Sequence, residues 1–215
     1  PDNRGIGRSD KPDEEYSISL MASDTVGLLK SLGIEKAHVA GLSMGGFISQ
    51  EIAISYPDIV DRLVLVATSM GGPRCQELGK PFWDKTTRAI FGKPAEDVYR
   101  IDLTLMTAPG FAEKHPDIIE KAVALRMRHP QPLYAFLRQS AACGVFDNNS
   151  RTPVITQPTQ IILGKDDPIF PIELAEDFQK ALPKAKMIIY ENCGHAIHLE
   201  KAEELTRDIR EFLKS

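Results

Sequence analysis

Three short stretches of this sequence contain side chains that could together perform nucleophilic catalysis. Residues 41–45, Gly-Leu-Ser-Met-Gly, fit the pattern G-x-S-x-G, in which a serine hydroxyl stands at the tip of a sharp strand-to-helix turn. A serine nucleophile needs a base to accept its proton and a carboxylate to orient that base. His195 is a candidate base, and Asp166 and Asp167 are candidate carboxylates. The residue types therefore predict a Ser–His–Asp site with Ser43 as the nucleophile.

The glycines around Ser43 suit the turn that such a serine requires. Side chains at the flanking positions would collide there, whereas glycine tolerates close approach and unusual backbone angles. A helical pattern follows the turn, so the helix N-terminus points at the site. The backbone amide of Met44 can then donate a hydrogen bond to a developing oxyanion.

Each candidate residue comes shortly after a stretch with the pattern of a β-strand. The apolar run 37–42 precedes Ser43, the run 159–164 precedes the two aspartates, and the run 186–190 precedes the loop that contains His195. Catalytic groups gather at the carboxyl ends of the strands in open parallel sheets. We therefore expect these three loops to meet at one edge of a sheet.

The rest of the chain supports an α/β fold with a mostly parallel sheet flanked by helices. Leu63–Ala67 is a continuous apolar run, as expected for a strand that is buried on both faces. Helical patterns occupy 19–32, 47–56, 172–182 and a final stretch from Ala202 to Leu213.

Residues 72–150 have a different character, and we call them the inserted segment. They show no convincing buried strand, and their amphipathic pieces are broken by prolines at positions 94, 109, 116, 130 and 132. This pattern predicts a helical insertion between two parts of one core, residues 1–71 and 151–215. If it covers Ser43, then Met70, Phe91, Phe111 and Phe146 are candidates for the wall of an apolar pocket.

Several other interpretations of these residues stay open on the residues alone. Either of the neighbouring aspartates, Asp166 or Asp167, could point towards the base. His198 could replace His195 as the base, although its place before Leu199 suggests that it supports the final helix. A metal site on the pair His195–His198 lacks a third clear ligand on a rigid element, so we expect no metal. Cys193 could be a reactive thiol, but no second motif supports it.

The composition favours one globular domain that acts on a small molecule. The 215 residues are 42% hydrophobic and carry a formal net charge of −4, with 26 basic and 30 acidic residues interspersed. No basic stripe suits nucleic acid, and no apolar run is long enough to cross a membrane. Three scattered cysteines do not form a disulfide framework, so we expect a cytoplasmic protein.

Four stretches of the sequence resemble the cofactor-free α/β-hydrolase superfamily, especially its esterase, enol-lactonase and perhydrolase-like branch. Residues 2–9 resemble the family's loop after its fourth strand, and residues 41–46 resemble its nucleophile elbow. Residues 163–171 resemble its acid loop, in which the aspartate stands four residues before a proline; that spacing selects Asp167. Residues 194–200 resemble its histidine loop.

The resemblance implies an α/β-hydrolase fold in which the inserted segment is a helical lid, and it implies a reaction. Ser43 would attack an ester or a related acyl carbonyl, His195 would transfer the proton, and Asp167 would orient the imidazole. Water would hydrolyse the acyl-enzyme, and no cofactor or metal is implied. Dehalogenases and epoxide hydrolases of this fold use a carboxylate nucleophile, so Ser43 argues against both. The alternative function is a hydrolase-like protein that binds a ligand without turnover.

One departure from the family concerns the N-terminal side of the sheet. The family places about four strands, and a His-Gly loop that gives a second oxyanion amide, before the stretch that matches residue 2. We expect the native protein to carry roughly 40–60 further N-terminal residues for those strands. On this expectation the 215-residue chain alone is poorly soluble and nearly inactive.

Overall fold

The computed structural model describes residues 1–215 and contains a single sheet of four parallel strands. The strands are β1 (Ala37–Leu42), β2 (Val60–Val66), β3 (Thr159–Gly164) and β4 (Lys186–Tyr190), and they lie side by side in chain order. The register pairs Leu65 with both Gly41 and Ile161. Because all strands run in the same direction, every carboxyl end lies at one edge of the sheet.

Helices cover both faces of this sheet, as expected for parallel strands with apolar side chains on both sides. Leu65 and Ile161 point into a core formed with the helices that follow the first and third strands, whereas Val64 and Ile162 point to the opposite face. That face is closed by the final helix through Phe212. The alternation follows from the period of two along a strand.

Ten α-helices connect and flank the strands. Their bounds are α1 (Ile18–Ser31), α2 (Met44–Ser55), α3 (Gly72–Ile90), α4 (Ala95–Met106), α5 (Phe111–Lys114), α6 (Pro116–Arg126), α7 (Leu133–Gly144), α8 (Ala175–Ala181), α9 (Ile197–Glu200) and α10 (Ala202–Lys214). None of them combines the length and the apolar character that crossing a membrane would require.

Two predicted helices differ from the structure at their ends. The helix predicted over 47–56 begins already at Met44, because the turn at Ser43 passes directly into the first helical turn. The helix predicted over 172–182 starts instead as a 3₁₀ turn, Ile172–Leu174, and becomes α-helical only from Ala175. Short 3₁₀ turns at helix ends are common because they reuse carbonyls that the helix leaves free.

The inserted segment consists of α3 to α7, with one isolated antiparallel bridge between Gly71 and Asp147 where the chain leaves and rejoins the core. Prolines set several of the helix boundaries in this segment. Pro116 occupies the first turn of α6, and Pro94 and Pro132 immediately precede α4 and α7. Proline suits these places because the first amides of a helix have no partner within it.

Candidate active site

Ser43 lies at the junction of β1 and α2 in a backbone conformation that is unfavourable for a residue with a side chain. Its φ is 56° and its ψ is −122°. The Ser43 amide donates to the Val66 carbonyl (2.9 Å), and the Ser43 carbonyl accepts hydrogen bonds from the Gly46 amide (2.8 Å) and the Thr68 hydroxyl (2.9 Å). Contacts to the end of β2 therefore hold the strained turn in place.

The close approaches that require glycine are at Gly41 and Gly46. A Cβ at Gly41 would lie 2.0 Å from the Gly45 carbonyl oxygen, and one at Gly46 would lie 2.5 Å from the Thr68 side chain. A Cβ at Gly45 would meet no atom within 4 Å. The second glycine of the G-x-S-x-G pattern thus faces open space in this structure, and the steric reason that we expected for it applies to Gly46 instead.

The strain at Ser43 leads to a stability prediction. Ser43→Gly should unfold with a free energy about 1 kcal/mol higher than Ser43→Ala, because only glycine adopts this backbone conformation without cost. Chemical denaturation of both variants measures the difference. The matched control is Ser23, within α1, where Ser23→Gly should be less stable than Ser23→Ala by about 1 kcal/mol. Equal stabilities for the two Ser43 variants would contradict the strained turn.

His195 and Asp167 form a buried pair. Asp167 Oδ2 lies 2.8 Å from His195 Nδ1, and the two residues are 4% and 5% exposed. Asp167 Oδ1 accepts hydrogen bonds from the backbone amides of Ile169 (2.8 Å) and Phe170 (2.9 Å). Both carboxylate oxygens are therefore occupied, and the side chain has a fixed orientation towards the imidazole.

The alternative residues for the base and the acid do not take part in this pair. Asp166 is exposed and its carboxylate makes no hydrogen bond, although the residue is adjacent to Asp167. His198 is exposed and makes no hydrogen bond. The described residues contain no group of three or more potential metal ligands, so His195 and His198 have no such set around them. Burial raises the pKa of the Cys193 thiol to about 12, which keeps it protonated and weakly nucleophilic at neutral pH.

Ser43 follows β1, Asp167 follows β3 and His195 follows β4, so all three residues lie at the same edge of the sheet. The Phe170 ring connects them: it lies 5.5 Å from the His195 ring and 5.7 Å from the ring of Phe47, one helical turn after Ser43. The Ser43 hydroxyl makes no hydrogen bond in this structure, to His195 or to any other group. Catalytic hydrogen bonds are often long or poorly aligned without substrate.

The Met44 amide, the predicted oxyanion donor, is free to donate a hydrogen bond. Met44 is the first residue of α2, where backbone amides have no partner within the helix, and its N–H makes no other hydrogen bond. The helix dipole adds partial positive charge at the same place.

Of the four candidates for a pocket wall, Phe91 is wrong. It follows the last residue of α3 and is 87% exposed, because the chain turns away there into the loop before α4. Phe146 is buried and stacks on Phe47 at 4.3 Å between ring centroids. Met70 lies in the same core, whereas Phe111 packs in a separate cluster of the inserted segment.

Two residues at the site have individual contacts that the sequence patterns did not predict. Thr68 supports the Ser43 carbonyl from the end of β2, and Glu200 accepts hydrogen bonds from the Gly194 amide, next to His195. Thr68 could have been found by the rule that identified the other residues, because it too follows a strand. Glu200 ends the stretch that resembles the histidine loop, but that resemblance does not indicate which groups its carboxylate contacts.

A fold of parallel strands with these side chains at their carboxyl ends defines an α/β-hydrolase architecture. The family model described as the alpha/beta hydrolase fold matches residues 1–202, and the chain belongs to that family.

Curated relatives and solved structures agree with this assignment. A 2-hydroxy-6-oxononadienedioate/2-hydroxy-6-oxononatrienedioate hydrolase of Pseudomonas sp is 29% identical over 87% of this chain, which spans 66% of that relative's length. A 2-hydroxymuconate semialdehyde hydrolase of Pseudomonas putida is 26% identical, and the match covers 99% of this chain and 75% of that relative's length.

Among solved structures, the enol-lactonase of Burkholderia xenovorans superimposes with a TM-score of 0.85 at 22% identity. The superposition covers 100% of this chain and 79% of the enol-lactonase chain. A thermophilic esterase of Thermogutta terrifontis superimposes with a TM-score of 0.82 at 26% identity. The superposition covers 100% of this chain and 78% of the esterase chain.

Proposed function

We propose that this protein is a serine hydrolase that cleaves a carboxylic ester or a related acyl substrate through an acyl-enzyme on Ser43. The observation that carries the proposal is the buried hydrogen bond of 2.8 Å between Asp167 and His195, at the sheet edge where Ser43 occupies its strained turn. The similarity to the Thermogutta terrifontis esterase supports the ester as substrate.

The pairing of His195 with Asp167 determines which nitrogen acts as the base. Asp167 Oδ2 accepts the hydrogen on Nδ1, so Nε2 carries the free lone pair. Nε2 takes the proton from the Ser43 hydroxyl as the Ser43 oxygen attacks the acyl carbon. The imidazolium formed in this step is stabilised by the Asp167 carboxylate, which does not itself take up the proton.

The remaining steps follow from the same geometry. The carbonyl π electrons move to the oxygen, which receives a hydrogen bond from the Met44 amide. As the tetrahedral intermediate collapses, the bond to the leaving alcohol breaks and His195 returns the proton to that alcohol. A water molecule then attacks the acyl carbon of the acyl-enzyme while His195 takes its proton. As the bond from the acyl carbon to the Ser43 oxygen breaks, His195 returns the proton to that oxygen and the carboxylic acid is released.

The inserted segment is proposed as the lid of this site. Its helices α3 to α7 leave the core after β2 and return before β3, next to the turn that carries Ser43. The Met106 carbonyl, at the end of α4, accepts a hydrogen bond of 2.7 Å from the His195 amide. Contacts of this kind support a lid that lies over the candidate site, and its side chains would then select the acyl group.

A panel of substrates tests the proposed function. We expect the protein to release p-nitrophenol from p-nitrophenyl acetate and butyrate, and the acyl group to be recovered on a Ser43 peptide by mass spectrometry after rapid acid quenching. A lactone and 2-hydroxymuconate semialdehyde belong in the same panel, since one relative is named for the latter. Turnover of the semialdehyde alone would replace the ester by a carbon–carbon substrate. Saturable binding of a substrate without turnover would indicate a ligand-binding protein instead.

A further inference from the structure

The loop that carries His195 is joined to the end of α4 by a backbone hydrogen bond. The His195 amide donates to the Met106 carbonyl (2.7 Å), so the base is tied directly to the inserted segment. Close packing reinforces the contact: a Cβ at Gly194 would lie 2.5 Å from the Met106 oxygen and 2.7 Å from the Ala108 nitrogen. No side chain separates the two stretches of backbone.

The carboxylate of Glu200 completes this junction. Glu200 Oε2 accepts hydrogen bonds from the amides of Ala108 (2.8 Å) and Gly194 (3.1 Å), and Oε1 accepts a second hydrogen bond from Gly194 (3.0 Å). One side chain therefore satisfies a backbone amide on each side of the contact. No lysine or arginine forms an ion pair with it.

The Glu200 carboxylate is partly buried and is held by backbone amides alone. Partial burial raises the pKa of the Glu200 carboxyl, and the hydrogen bonds from Ala108 and Gly194 act in the opposite direction. A carboxylate that is partly removed from water and accepts only backbone amides is held by those amides. Its removal would leave two amides without a partner at a closely packed contact.

We propose that Glu200 is a positioning residue that fixes His195 relative to the inserted segment, so that a displacement of the end of α4 displaces the base. The proposal rests on the proposed function, because His195 matters as the base only if Ser43 is the nucleophile. Misplacement of a catalytic group by about 1 Å can lower a rate by about 10²-fold. Substrate binding under the inserted segment would thereby also set the position of His195.

Three variants test this role. Glu200→Ala removes both acceptors, and we expect kcat for a p-nitrophenyl ester to fall about 10²-fold with little change in KM. Glu200→Gln keeps one acceptor oxygen, which can occupy the Oε2 position shared by both amides, so its kcat should lie between those of Glu200→Ala and the wild type. Glu203→Ala is the control, because Glu203 is exposed on the neighbouring helix α10 and should leave kcat unchanged.

Hydrogen exchange tests the contact between the His195 loop and the end of α4 independently of the enzymatic reaction. In Glu200→Ala the peptides that contain Ala108 and Gly194 should exchange faster than in the wild type, whereas in Glu203→Ala they should not. Unchanged exchange would overturn the junction. Faster exchange with an unchanged kcat, or an equal loss in Glu200→Gln and Glu200→Ala, would overturn the positioning role. If Ser43 proved not to react with esters or fluorophosphonates, the proposed function would fail, but the exchange data would still decide whether Glu200 holds the two segments together.

Discussion

Ser43→Ala should abolish labelling by a fluorophosphonate probe and lower kcat for a p-nitrophenyl ester by about 10⁶-fold. The reason is that, in the proposed mechanism, the acyl-enzyme forms on the Ser43 hydroxyl, which alanine lacks. The variant should fold, because alanine keeps the backbone hydrogen bonds of residue 43 to Val66, Gly46 and Thr68, at the same backbone strain as serine. Gel fluorescence of the labelled protein and steady-state kinetics measure the two effects.

Ser49→Ala is the matched control for this experiment. Ser49 lies on the same helix, α2, but it is buried in the core and does not follow a strand. It should label and turn over as the wild type does. Labelling that persists in Ser43→Ala, with the probe on a different residue, would show that the nucleophile is misassigned.

Asp167→Asn should lower kcat by about 10⁴-fold while leaving the fold intact. The amide oxygen of asparagine would keep the place of Oδ1, because two backbone amides, from Ile169 and Phe170, donate to it. The NH₂ group then faces His195 Nδ1 and donates to it, so the imidazole proton moves to Nε2. A base with its proton on Nε2 cannot accept the proton of Ser43. Steady-state kinetics on the same ester measure the loss.

The neighbouring carboxylate provides the comparison. Asp166→Asn changes an exposed side chain without a hydrogen bond and should alter kcat by less than about 2-fold, as expected for a surface substitution. Losses of similar size in both variants would indicate that the negative charge of the loop, and not the imidazole tautomer, is what matters. A larger loss in Asp166→Asn would move the role of the acid to that residue.

The strands and the residues that follow them could be predicted because their signals are local. Each strand is a short apolar run, and Ser43 lies in a five-residue pattern that has a steric cause. No local signal of this kind distinguishes Asp166 from Asp167. Adjacent loop residues can point in opposite directions, so the residues alone left both open, and the spacing to Pro171 in the resembling family favoured Asp167. In the structure Asp167 faces His195, held by the amides of Ile169 and Phe170.

Contacts between distant parts of the chain could not be predicted in this way. The Glu200 carboxylate accepts a hydrogen bond from the amide of Ala108, which lies 92 residues earlier in the chain. No periodic pattern in the sequence predicts a contact over such a separation. The error at Phe91 has a related cause: an aromatic residue in an amphipathic stretch suggests burial, but its direction depends on where α3 ends. The lack of room at Gly46 likewise depends on Thr68, which follows another strand.

The position of the inserted segment between β2 and β3 has a consequence for the order of folding. β1 and β2 are close in sequence and can pair early, which forms the turn at Ser43, whereas β3 joins β2 only across a connection of about 90 residues. Lengthening such a loop costs little stability, about 0.6 kcal/mol per doubling, but long-range pairing slows folding. The proposed acid Asp167 and the proposed base His195 both lie beyond that connection. In a refolding chain the turn at Ser43, the proposed nucleophile, should therefore form first, and reactivity should appear last, when β3 and β4 join β2.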